Sequence, residues 1–406
     1  MTGLRRLAPK LSHLLVSVLL LAVATQQALH RAFSKKSISR HELKQGEITY
    51  FQPPSLPYAE EMVNFIGRHQ NPSDCQSAKF LVWRWRPVEC GMGSDLHVMT
   101  VALAAALATQ RVLVLHPGTE YPWTPWAIDS KCPTHNLDCF TKPLSHCELT
   151  PADMRVENVA ELSPAQLDAA ITLTTSPTTT TPNSAPDHSP RVLMFSRDQD
   201  FLDRYRGLIP PQFSGKLGST WVTMNNIVSL SHWRAVGIAY ILRWNGGFDY
   251  RIRSAISEML PTSPLPPCIT VHIRHGDKKA EMKLLPLSDY IAAVKKMKED
   301  YPEVRHIDTI FLTTDDGAVV DQVGQYPEFH FIVTDHSRND KISYGELARR
   351  EGYNITMHAF IDLELALQCR GFVVTTASNW SRLIEELRMI RGKWNTPWID
   401  LIPGTW

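Results

Sequence analysis

His272 to Glu281 packs three cations (Arg274, Lys278, Lys279), two imidazoles (His272, His275) and two carboxylates (Asp277, Glu281) into one short span. A guanidinium such as Arg274 is a planar fork that can hold a diphosphate bidentately, where lysine acts as a point charge. The alternative is a solvated charged loop with a structural Arg–Asp pair. Two further polar clusters occur downstream, Thr314-Asp315-Asp316 and Thr375-Thr376-Ala377-Ser378-Asn379. Asp315 and Asp316 read first as a cap and turn before a helix, and second as a metal-binding acidic pair. Ser378 and Asn379 precede a helical stretch, which they either cap or equip to bind phosphate. By themselves these residues indicate a nucleotide or phosphate binder. No GxGxxG, Walker A or HExxH pattern occurs, and the turn Gly91-Met92-Gly93 is too short for a dinucleotide fingerprint.

Each cluster follows a stretch that reads as a buried strand. The spacing predicts strands at 269–273, 307–312, 329–333 and 372–374, with helices at 288–298 (Ser288 as cap), 317–325, 360–368 and 381–390. Such alternation predicts a parallel sheet with helices on both faces, and ligands then bind beyond the carboxyl ends of its strands. Upstream, Lys79 to Trp85, the glycine turn, Asp95 to Thr109, apolar almost all round, and Arg111 to Leu115 read as one βαβ unit. Residues 231–260 are helical, and Pro261, Pro264, Pro266 and Pro267 mark a boundary. The expectation is an α/β chain with two Rossmann-like domains, 75–260 and 261–406, facing a cleft.

The 406 residues are 43% hydrophobic, enough for two ordinary cores, and the net charge of +1 gives no sign of a nucleic-acid partner. Arg5, Arg6 and Lys10 precede a largely apolar stretch to Leu29, so residues 1–29 read as a signal anchor or a cleaved signal peptide. Residues 30–74 read as a stem. The Thr/Ser/Pro-rich segment 174–190 reads as a disordered loop within the first domain. Five of the seven cysteines lie before residue 150, which favours disulfides there over a zinc site. The odd count leaves a free thiol or an intermolecular bond.

Val271-His272-Ile273-Arg274-His275-Gly276-Asp277-Lys278, with Glu281, resembles the first donor motif of the GDP-fucose-dependent α1,6-fucosyltransferases. Leu312 to Asp316 resembles their second motif, and Asp362 with Ser378 their third. Cys90 to His97 followed by Thr109 to Leu115 is similar to their N-terminal glycine turn, helix and strand. The resemblance implies a GT-B fold, no bound metal, and inversion from β-linked GDP-fucose to an α-linked fucose on a glycan. Carried over by position, Arg274 binds the donor phosphates. His272, His275, Asp315, Asp362, Ser378 and Asn379 line the donor site. Lys278 and Glu281 face the acceptor hydroxyl, with Glu281 as general base, Asp277 as its rival for that role, and Asp277 otherwise buttressing Arg274. The chain departs from the family at His275, where a second arginine is usual, and at Gly276, where threonine is usual. The resemblance also implies a type II Golgi protein with a lumenal catalytic part. Other readings are protein O-fucosylation, another GDP-sugar donor, and a non-catalytic glycan- or nucleotide-binding relative. Asn354-Ile355-Thr356 and Asn379-Trp380-Ser381 both match the glycan acceptor pattern. A glycan is expected on Asn354 and not on Asn379, which falls at the donor loop.

Overall fold

The computed structural model describes residues 56, 59–85, 91–117, 132–150, 152–175, 190–195, 198–213, 230–259, 265–336, 338, 350, 352–393 and 395–404. The apolar segment 1–29, most of the stem, Cys90 and residues 176–189 of the Thr-rich segment lie outside them. Among the described residues no helix is long and apolar enough to cross a membrane.

Helix α1 (Ala59–Gln70) leads to β1 (Phe80–Trp83), α2 (Met92–Ala108) and β2 (Val112–Leu115). The chain continues through β3 (Val159–Glu161), α3 (Pro164–Thr175), β4 (Val192–Met194) and α4 (Gln199–Tyr205). Helices α5 (Leu230–Ile241) and α6 (Gly246–Met259) then lead to β5 (Ile269–Ile273), α7 (Leu287–Asp300), β6 (Thr309–Thr314), α8 (Gly317–Val320) and β7 (His330–Ile332). Last come α9 (Tyr353–Ala366), β8 (Gly371–Val374), α10 (Asn379–Arg388) and β9 (Trp398–Asp400). The strands form two sheets, ordered β2-β1-β4-β3 and β7-β6-β5-β8-β9. All their pairings are parallel. In sequence terms the second sheet runs 3-2-1-4-5, the doubly wound order, so the connections reverse direction between β5 and β8.

Several elements differ from the reading of the sequence. The two glycines do not form a separate turn: α2 starts at Met92 with Gly91 as its cap residue. Ser288 lies inside α7, whose cap residue is Pro286. The helical region after 230 is two helices broken at residues 242–245. Helix α1 lies within the segment read as stem and buries Met62 and Ile66, while the Gln70 amide bonds the backbone of Leu113. Helix α3 takes in Thr174 and Thr175 from the Thr-rich segment.

One hydrophobic cluster joins α1, α2, α5 and α6 to α9 and α10. Phe140 stacks on Tyr353 at 5.0 Å, Trp244 meets Phe360 at 4.8 Å, and the Trp244 indole donates to Glu364 at 2.7 Å. Ile269, Val271 and Ile273 belong to a second cluster with Leu287, Tyr290 and Val294 of α7. Because side chains alternate along a strand, Thr270 and His272 face the other way, toward α9 and α10. Thr270 Oγ1 accordingly donates to the Ala366 carbonyl at 2.7 Å. Disulfides link Cys75–Cys147, Cys132–Cys139 and Cys268–Cys369. The first two fall where the sequence put them, and the third, across 101 residues, was not foreseen.

Candidate active site

The polar loops after β5, β6 and β8 share the carboxyl edge of the five-stranded sheet, with those after β5 and β8 flanking the point where the winding reverses. Register pairs Ile273 with Thr314. The next residues, Arg274 and Asp315, are therefore neighbours by construction, and they form an ion pair, both side chains largely buried. The guanidinium carries five N–H donors, so one carboxylate orients it without exhausting it. Asp315 also accepts from the His275 amide at 2.9 Å. Asp315, expected among the donor ligands, thus acts on Arg274, the role the sequence reading gave to Asp277.

Gly276 makes this pairing possible. It sits at φ +44°, and a Cβ there would lie 2.6 Å from the Asp315 carboxylate and 2.7 Å from the Arg274 guanidinium. The threonine usual in the resembling family would displace the pair.

His275 is anchored rather than open. Its Nδ1 meets Asp316 at 2.7 Å and its Nε2 meets the Leu285 carbonyl at 2.9 Å. Both ring nitrogens are thus engaged by protein atoms rather than turned toward a phosphate. His275 was expected among the donor ligands; its geometry makes it a tie between the β5 and β6 loops and the segment before α7. Asp316 also caps α8 by accepting from the Ala318 amide at 2.8 Å. This geometry matches the cap-and-turn reading of the acidic pair.

His272 is buried, and its Nδ1 lies 2.6 Å from Ser381 Oγ on α10. Burial, with the Arg274 charge adding to it, holds this ring down to about 3, so at neutral pH it carries one N–H and no charge. Asp362 of α9 accepts from Thr334 at 2.6 Å and from Thr313 at 3.2 Å. Burial pushes its carboxyl up to about 6, against the opposing pull of Thr334, Arg338 and Thr313. Arg338 ties the β7 loop to the same corner through the carbonyls of Thr314 and Thr334, at 3.0 and 2.8 Å.

Ser378 is the cap residue of α10, 1% exposed and making no side-chain cap bond, and Asn379 is the first helical residue. The start of α2 lies against it: a Cβ on Gly93 would be 3.1 Å from the Asn379 backbone carbon and 3.2 Å from the Trp380 nitrogen. Two helix N-termini, each partly positive, therefore meet beside the β8 loop. The sequence reading missed this apposition, although the second glycine was its signal. Lys278 pairs with Glu281 at the end of the short 3-10 turn Gly276–Ala280, the lysine mostly buried and the glutamate 65% exposed. The Asp277 side chain lies outside what the structure describes. Asn354 is exposed in the first turn of α9, whereas Asn379 is half-buried.

Residues 54–131 match the family model of the α-(1,6)-fucosyltransferase N- and catalytic domains. An α-(1,6)-fucosyltransferase of Caenorhabditis elegans is 25% identical over 342 residues, covering 80% of this chain and 52% of the relative. The chain thus spans about half the length of that relative. Among solved structures, NodZ α-1,6-fucosyltransferase of Bradyrhizobium, soaked with GDP-fucose, is 15% identical, with 77% of this chain and 93% of that one covered and a TM-score of 0.38. POFUT1 in complex with GDP-fucose is 13% identical, with 79% and 97% covered and a TM-score of 0.39.

Proposed function

We propose that this chain, similar over four-fifths of its length to an α-(1,6)-fucosyltransferase, is a GT-B enzyme that moves fucose from GDP-fucose to a glycan. The product is an α1,6 link to the GlcNAc of an N-glycan core or a similar oligosaccharide. The observation that carries this reading is Arg274, fixed by Asp315 at the edge where the sheet reverses its winding, with the start of α10 after the adjacent strand. The diphosphate lies between the Arg274 fork and the N-terminus of α10, with Asp362 and the neutral His272 toward the nucleoside.

As the glycosidic bond of GDP-fucose breaks, negative charge grows on the leaving diphosphate. Arg274 and the α10 dipole meet that charge where it develops, without a metal ion. Attack from the opposite face inverts the anomeric carbon. Glu281, oriented by Lys278, takes the proton from the acceptor hydroxyl. The first sheet supplies the acceptor side of the cleft. Three disulfides suit an oxidising lumen, and we place the enzyme in the Golgi, held by residues 1–29 as a signal anchor.

The test is incubation of the full chain with GDP-fucose and an N-glycan carrying a free core GlcNAc, with and without EDTA. Transfer at equal rates is expected. Abolition by EDTA with rescue by manganese would instead make Asp315 and Asp316 metal ligands. Glu281→Gln is expected to lower turnover by roughly two to four decades while GDP affinity stays near wild type. Full turnover in Glu281→Gln, with turnover lost in Asp277→Asn, would pass the base role to Asp277.

A further inference from the structure

His97 lies on α2, 6% exposed, one and a half turns in from the helix start. Its ring reaches across to α10 at two heights. Nδ1 meets Asn379 Oδ1 at 3.2 Å, and Nε2 meets Glu386 Oε2 at 2.9 Å. Arg382 also donates to Asn379 Oδ1, at 3.1 Å, which fixes that amide with its oxygen toward the ring. Both ring nitrogens are thus engaged, one by each partner. Glu386 is 1% exposed, and a buried carboxylate is tolerated only when paired.

The two anchor points lie on the first residue of α10 and about two turns further along it. Together they fix the rotation and height of α10 against α2. The first turn of α10 contains the N–H groups after Ser378 and also Ser381, which holds His272. Gly93, one turn before His97, permits the contact at backbone distance.

We propose that His97 is a positioning residue for the donor: by bolting α2 to the first turn of α10, it sets where that helix N-terminus meets the diphosphate of GDP-fucose. This rests on the donor-site reading above. His97 touches no donor atom itself. It acts through Asn379 and Glu386, so its loss should appear in nucleotide affinity and donor KM more than in kcat.

His97→Phe alone strands the Glu386 charge and is expected to destabilise the fold. The decisive variant is therefore His97→Gln, whose amide can still donate to Glu386 but gives up the bond to Asn379, and which leaves Glu386 in place beside Arg234 and Arg382. Thermal unfolding measures its stability, and calorimetric titration with GDP measures its affinity against wild type. The expected result is a folded protein with GDP Kd raised at least tenfold, donor KM raised alongside, and acceptor KM unchanged. Wild-type GDP affinity in folded His97→Gln would overturn the positioning role and leave the fucosyltransferase reading intact. No GDP binding by the wild-type chain would overturn both.

Discussion

Arg274→Ala is expected to lower fucose transfer by about 10²- to 10³-fold, the loss typical when a preorganised donor to developing negative charge is removed. In the proposed reaction the leaving group is a diphosphate, and Arg274 is held at the strand end by Asp315 before any substrate arrives. That preorganisation is why the effect should fall on the chemical step as well as on binding. Arg274→Lys keeps the charge but loses the fork, so it should lose most of the activity too. The same logic makes Gly276→Ala damaging: its new methyl would lie within 2.7 Å of both partners of the pair. Steady-state rates on folded variants check this. Near wild-type transfer by Arg274→Ala would remove the diphosphate from this loop.

Replacing Cys268 and Cys369 by alanine should cost far more stability than replacing the short-range pair Cys132 and Cys139. The bond joins the residue before β5 to the end of the segment after α9, across 101 residues. In the chain-entropy account a loop of that length contributes about 4.7 kcal/mol. The Cys132–Cys139 link closes a separation of only 7 and should contribute about half as much. Both sulfurs of the long link are buried, and their surroundings are paired: the Arg370 amide donates to the Cys268 carbonyl at 2.8 Å and Lys393 to that of Cys369 at 2.9 Å. The bond lies at the amino end of β5, the opposite end from Arg274. Where the variant is still folded, GDP affinity should be unchanged. Thermal unfolding of the two double-alanine variants side by side tests the ranking, and a smaller shift for Cys268/Cys369 would contradict it.

The candidate site was legible because its chemistry is local in sequence. A five-residue run rich in β-branched side chains, ending in a charged loop, specifies both β5 and where Arg274 stands. What the sequence hid is what depends on pairing between strands or helices. The Arg274–Asp315 pair follows from the β5–β6 register, which no single segment encodes. His275 resembled a replacement for a phosphate-binding arginine, and only the folded loops show it tied to Asp316 and Leu285. His97 and Glu386 are 289 residues apart and share no pattern. The strands β3, β4 and β9 have three residues each and are not flanked on both sides by apolar residues, as Phe329 and Val333 flank the equally short β7 and made it readable. Helix α1 was lost among its charges, although Met62 and Ile66, four apart, mark its buried face.

The most direct measurement of the central claim is the thermal shift of the full chain with GDP, UDP and CDP at equal concentration, repeated with Arg274→Ala. Ligand binding to the native state raises the midpoint, and at equal concentration the tighter ligand raises it more. The account predicts a rise with GDP, little or none with UDP or CDP, and loss of the GDP shift in Arg274→Ala. Equal shifts with all three nucleotides, or a full GDP shift in the variant, would contradict a guanine-nucleotide sugar site at this sheet edge.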